Sequence, residues 1–146
     1  MTTVVFCKGI LAADSQAGSS DIVLPEAIEK VWRTPRGLAG FTGDGSFIDQ
    51  ARTWTLTGGR RPKSSDKFTV IEVSVRGAVT VHEGTATYVQ ATPLGFYAWG
   101  SGRAVALGAL YAGADAKRAV EIAALVDPWT GGDVIALAIG EEKRDG

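Results

Sequence analysis

Val4, Val5, Phe6 and Cys7 run unbroken between Thr2 and Lys8, and the pattern predicts a strand over 2–8. Gly9 turns the chain into a partner strand over 10–14. Small polar residues over 15–21 read as a loop, followed by a short apolar stretch at 22–24. Loose alternation over 27–33, the turn signal Thr34-Pro35-Arg36-Gly37 and the apolar run over 38–42 predict a hairpin. Gly43-Asp44-Gly45-Ser46 breaks that run. Ser46 can cap a helix over 47–56 that gathers Phe47, Ile48, Ala51, Trp54 and Thr55 near one side, and Gly58-Gly59 ends it. Strands are predicted over 68–75, 78–82, 87–91 and 95–99. Gly100-Ser101-Gly102 is a sharp break. The helix expected over 104–112 is apolar nearly all round, as for a helix buried on several sides. Asp115 caps a second helix over 116–126, with Lys117, Arg118 and Glu121 wet, and Asp127-Pro128 stops it. A last strand over 134–139 precedes a charged tail at 141–146.

Strands cluster instead of alternating one-for-one with helices. This argues against a doubly wound parallel sheet and for a layered α+β fold with mostly antiparallel sheets. There is no internal repeat and no linker, so residues 1–146 are expected to form one domain.

Composition narrows the class without naming a function. Hydrophobic residues make up 45% and charged residues 21%, with a net charge of -1, so no nucleic-acid or membrane partner is expected. The cluster Arg60-Arg61-Pro62-Lys63 reads as a solvated loop. A single cysteine, Cys7, excludes an internal disulfide and reads as a buried thiol. The N-terminus lacks the charged region and cleavage site of a secretory signal, and no apolar run approaches ~20 residues. A cytoplasmic protein without a leader is the expectation.

Candidate chemistry starts at Met1-Thr2-Thr3. The small Thr2 permits removal of Met1, which would make a threonine the N-terminus of a strand. Such a residue holds a nucleophile and a base together, because its α-amine, with an ordinary pKa near ~8, can take the hydroxyl proton. Competing chemistries lack their residues. One histidine, His82, and one cysteine do not make a zinc site. A Ser-His-Asp triad would need His82, which reads as a solvated partner of Glu83, and Gly43-Asp44-Gly45 does not continue as a phosphate loop.

Four segments, Thr2-Thr3-Val4-Val5, Ala12-Ala13-Asp14-Ser15-Gln16, Lys30-Val31 and Ala39-Gly40-Phe41-Thr42-Gly43, follow in an order that resembles the proteasome β-type N-terminal-nucleophile hydrolases, HslV above all. Gly100-Ser101-Gly102 before an alanine-rich helix is a fifth match. The resemblance implies an αββα four-layer sandwich with antiparallel sheets, here with a reduced helical layer on one face, because a single short helix stands where the family has a pair. It implies that Thr2 is the nucleophile, that Lys30 lowers the hydroxyl and amine pKa values, and that Asp14 holds Lys30. Gly40 would be the oxyanion donor, and Ser101 would lie near the terminal amine and help relay its proton. Read alone, each residue also has an ordinary role: Thr2 as an exposed residue after the initiator, Asp14 as a turn carboxylate, Lys30 in a surface strand, Gly40 as a packing glycine, Ser101 in a tight turn.

The activity so implied is threonine-dependent peptide hydrolysis within a homo-oligomeric ring, acting on peptides or unfolded protein. No cofactor is required. The family's monovalent cation would bind backbone carbonyls of the loop over 126–132, which by its residues alone reads as a helix-to-strand turn. An AAA+ unfoldase is the family's partner, and the thinner layer weighs against one here. The alternatives are an inactive assembly protein of the same fold and an amidohydrolase acting on a small amide.

Overall fold

The computed structural model describes residues 2–18, 22–62 and 67–140. Met1, whose removal the sequence reading requires, lies outside the described residues, as do the tail at 141–146 and parts of the loops expected at 15–21 and 58–67.

The first sheet contains β1 (Thr3–Cys7), β2 (Ile10–Ala13), β10 (Phe96–Gly100) and β11 (Ile135–Ala138), in the order β10-β1-β2-β11, all antiparallel. The β1–β2 turn is Lys8-Gly9, both at positive φ, the geometry that matches the twist of a two-residue hairpin. β1 is buried throughout because both of its faces are covered. Val4 and Phe6 pack with Val31, Leu38, Ile71, Val73, Val79 and Val81 of the second sheet. Val5 and Cys7 pack, with Ala12 and Ala98, against α2 (Arg103–Tyr111) and α3 (Ala116–Val126). Small residues at Ala12, Ala98, Ala106, Ala119 and Ala123 let these helices approach the sheet closely.

The second sheet is an antiparallel meander of β5 (Val31–Thr34), β6 (Gly37–Gly43), β7 (Phe68–Ser74), β8 (Val79–Glu83) and β9 (Ala86–Gln90). Its other face carries Trp32, Ala39, Phe41, Phe68 and Val70 against Ile48 and Ala51 of α1 (Ile48–Thr57). The molecule is therefore mixed α/β with antiparallel sheets and three helices among the described residues.

Local departures have local causes. The predicted 15–21 loop contains β3 (Gln16–Gly18), which pairs with β4 (Val23–Ala27) in a ribbon, and β4 is exposed along its length. Asp44, not Ser46, caps the entry to α1: its carboxylate accepts the Ser46 N–H at 2.9 Å, and a 3₁₀ turn (Gly45–Phe47) precedes the helix. α2 buries Ala106, Ala109 and Leu110, while Tyr111 is 71% exposed, so the helix is covered on one side only. His82 is buried, with Trp54 of α1 edge-on against its ring, and its Nε2 lies 2.8 Å from Glu72 on the paired strand β7 and not beside Glu83. No described helix is long and apolar enough to cross a membrane.

Candidate active site

The hairpin β1–β2 sets Thr2 opposite the residue that follows β2, Asp14. The Thr2 hydroxyl donates to Asp14 Oδ1, which also accepts the Thr3 N–H at 3.2 Å. Asp14 Oδ2 accepts Lys30 Nζ at 3.1 Å and the Gly131 N–H at 3.1 Å. Four donors from three segments thus converge on one carboxylate, about the number it can accept. Thr2, Asp14 and Lys30 are all buried. Burial pushes the Lys30 ammonium below the ordinary lysine pKa, and the charge and hydrogen bond of Asp14 oppose that push. Lys30 is therefore not the surface residue that its strand position alone predicts.

Ser101 stands on the tight turn between β10 and α2. Its N–H donates to the Thr2 carbonyl at 2.8 Å, and its hydroxyl donates to Asp127 Oδ2 at 2.6 Å, 3.4 Å from that same carbonyl. Asp127 Oδ2 also accepts the Thr130 hydroxyl at 2.7 Å, and Thr130 Oγ1 lies 2.8 Å from Thr3 Oγ1. Burial raises the Asp127 carboxyl, but the Ser101 and Thr130 hydroxyls and the Trp129 N–H outweigh it and hold the group below its ordinary value. Asp127 and Thr130 are site residues that the sequence reading missed. Its Asp-Pro pair reads as a helix stop, and Asp127 is indeed the residue after α3. The nearest sequence signal is a hydroxyl three residues beyond that aspartate. Across the loop, Ser15 N–H donates to the Gly131 carbonyl at 3.2 Å and Gln16 Nε2 to the Pro128 carbonyl at 2.9 Å.

Gly40 is not beside this group. Phe41 N–H donates to the Lys30 carbonyl at 2.9 Å, so strand alternation turns the Gly40 N–H the other way, toward Ile71 of β7. The α-carbon of Gly40 faces the inter-sheet core, where a Cβ would stand 3.1 Å from Val4 Cγ1. A mid-strand amide committed to a ladder cannot also meet a substrate, and the expectation of an oxyanion donor at Gly40 is corrected on that ground. Gly43, two residues along and of the same parity as Phe41, lines the cleft instead.

That cleft opens at Thr2 and Lys30. Ile28, Phe41, Ile48 and Trp129 give it apolar walls, and Gln16, Gly18, Gly43 and Gly45 complete it. Among the described residues no three His, Cys, Asp or Glu side chains gather as a metal site. A hydroxyl beside a carboxylate–ammonium pair, at the mouth of an apolar cleft, suits nucleophilic attack on an uncharged group.

No family model matches the chain, and no curated protein matches it. Solved structures do. Thiobacillus denitrificans BPH in complex with epoxomicin aligns at 20% identity and a TM-score of 0.70, over 97% of this chain and 100% of that one. Thiobacillus denitrificans BPH in a second structure aligns at 19% identity and a TM-score of 0.69. Eukaryotic HslV from Trypanosoma brucei aligns at 18% identity and a TM-score of 0.67, over 94% of this chain and 99% of that one. At these identities the likeness is one of fold, and the chain has an HslV-like, proteasome-type fold over nearly its whole length.

Proposed function

We propose that the chain is a threonine-type peptidase subunit, its packing read as an αββα four-layer sandwich thinned on the α1 face. The observation that carries this is the convergence of the Thr2 hydroxyl and the Lys30 ammonium on the two oxygens of Asp14, at the mouth of an apolar cleft. Removal of Met1 frees the Thr2 amine. The amine takes the proton of Thr2 Oγ1 as that oxygen attacks the peptide carbonyl carbon. The charge of Lys30 favours the developing alkoxide, and Asp14 holds Lys30 in place. The Gly43 N–H receives the oxyanion. Collapse expels the amine half of the substrate, which takes the proton back from the Thr2 ammonium and leaves an ester on Oγ1. Water, deprotonated by the same amine, then hydrolyses the ester. Ser101, held by Asp127, is assigned the passing of that proton. No cofactor enters any step, and a monovalent cation at the 126–132 loop would serve only to brace it.

The walls formed by Ile28, Phe41, Ile48 and Trp129 suit an apolar side chain of a peptide or unfolded protein. Exposed Val23, Tyr111, Leu125 and Val126 support contacts within a homo-oligomeric ring in the cytoplasm. With one helix on the outer face, the reading needs no AAA+ unfoldase. The test compares hydrolysis of fluorogenic peptides by Met1-processed wild type and Thr2→Ala, with and without epoxomicin. Wild-type turnover, blocked by epoxomicin and absent from Thr2→Ala, is expected. Equal turnover in the two proteins overturns the proposal.

A further inference from the structure

Lys30 is aimed from a short segment, and that segment is anchored from outside the cleft. One anchor is internal to the sheet, the Phe41 N–H on the Lys30 carbonyl at 2.9 Å. The others come from α1. The Arg52 guanidinium donates to the carbonyl of Glu29, the residue before Lys30, at 2.8 Å. The same guanidinium lies over the ring of Trp32, two residues after Lys30, at 5.0 Å from its centroid. The Trp32 indole N–H donates to Thr55 Oγ1 at 2.9 Å, and Thr55 is tied back to the Ala51 carbonyl at 3.0 Å. Residues on both sides of Lys30 are therefore gripped by one turn of α1. Arg52 Nε is buried and finds no acceptor among the described residues. Stack and carbonyl, not full hydrogen bonding, hold the guanidinium where it is. A planar fork can stack and donate sideways at once, which a lysine ammonium cannot do.

We propose that Arg52 is a positioning residue for Lys30, holding through the Glu29 carbonyl and the Trp32 indole the segment that aims the ammonium at Asp14. The inference rests on the reading of Lys30 as the cation beside the Thr2 nucleophile. It gives the outer helix a mechanical link to the site: a shift of α1 by any partner on that face would reach Lys30 through Arg52. The charged groups around Lys30 are Asp14, which follows β2, Glu29 beside it in the chain and Arg52 from α1, itself 3.8 Å from Asp49.

The experiment follows Lys30 in the full chain labelled with 13Cε-lysine, its resonance identified by its absence from Lys30→Arg, alongside kcat and KM. In Arg52→Met the loosened segment admits water. The Lys30 titration should move up by about half a unit or more, and kcat should fall about threefold or more at unchanged KM. Arg52→Lys keeps the charge without the fork and should move in the same direction. Thr55→Val, which cuts the other arm, should do so to a smaller extent, and it serves if Arg52→Met does not fold. An unmoved Lys30 titration in folded Arg52→Met and Thr55→Val overturns the inference, as does wild-type behaviour of Arg52→Lys, which would reduce the effect to charge. If Lys30→Met hydrolyses peptides normally, it is the functional reading that fails. The titration still reports on the bracket.

Discussion

Lys30 Nζ lies 3.1 Å from Asp14 Oδ2, and the two side chains are 6% and 0% exposed. A pair so enclosed cannot lose one member quietly. Asp14→Ala leaves an ammonium in the interior together with the Thr2 hydroxyl and the Gly131 N–H, all without their acceptor. Breaking a buried pair in this way costs about 3–5 kcal/mol. The expected outcome is a fall of roughly 10 °C in Tm, since 1 kcal/mol moves a domain of this size by about 2–4 °C. Calorimetry on Asp14→Ala beside Asp14→Asn, whose single amide oxygen keeps an acceptor on one side of the group only, for Thr2 or for Lys30 and Gly131, checks it. Asn should recover part of the stability and none of the peptidase activity.

Asp127 predicts a different signature. Its pKa is held low by donors, chiefly the Ser101 and Thr130 hydroxyls, against the opposing effect of burial. A carboxylate of this kind contributes its full stability above the ordinary value near ~3.9, and the contribution is lost as pH falls through the lower folded value. Ser101→Ala removes one donor and should raise the Asp127 pKa toward the ordinary value, so acid unfolding begins at a higher pH than in wild type. If Ser101 also relays the Thr2 proton, kcat should fall about 100-fold at neutral pH with little change in KM. Acid titration by circular dichroism and steady-state kinetics read the two effects separately.

Lys30 sets the alkaline side of the profile. Burial lowers its pKa in the folded chain, so between that value and ~10.4 the unfolded chain binds more protons and stability rises with pH. The destabilisation is complete below the folded value. Activity runs the opposite way, because the proposed chemistry needs the charge. The kcat/KM profile should therefore turn down below ~10.4. Lys30→Arg, always charged, should lose that downturn whatever its absolute rate, and Lys30→Met should fall by about 100-fold or more. A wild-type profile that stays level to pH 10.5 would remove Lys30 from the mechanism.

The chain wrote much of this in its residues, and the omissions follow from what pairing and burial add. The run Val4 to Cys7 predicts a strand directly, and its lack of alternation is explained by cover on both faces. That Thr2, Asp14, Lys30 and Ser101 lie close together was legible through a resemblance, whereas single-residue readings put Lys30 on the surface. Asp127 was not legible, since an aspartate before proline looks the same whether it caps a helix into water or closes over a serine. His82 differs for a related reason: Glu83 is its neighbour in the chain, but Glu72, diagonal to it on β7, is the carboxylate its ring meets. The β3–β4 ribbon escaped notice because its residues are small, polar or exposed, and the pairing that makes it a ribbon is not a local property.

Gly40 and Gly43, two of the three glycines of β6, give the sharpest contrast between pattern and geometry. Gly40→Ala adds a Cβ 3.1 Å from Val4 Cγ1 and 3.4 Å from Leu11 Cδ2, ends of side chains that can yield. Mild overpacking of that kind costs about 1 kcal/mol, and kcat per folded molecule should stay within about twofold of wild type. Gly43→Ala meets backbone instead: a Cβ would stand 2.3 Å from the Lys67 carbonyl oxygen and 2.6 Å from Phe68 Cα, at a φ of 121° that a side chain disfavours. The end of β6 must shift, and the N–H proposed to hold the oxyanion shifts with it. Loss of one such donor lowers kcat by about 100- to 1,000-fold. Active-site titration separates this from a smaller folded fraction. A fall in kcat for Gly40→Ala with Gly43→Ala unaffected would return the oxyanion role to Gly40 and reverse the parity argument.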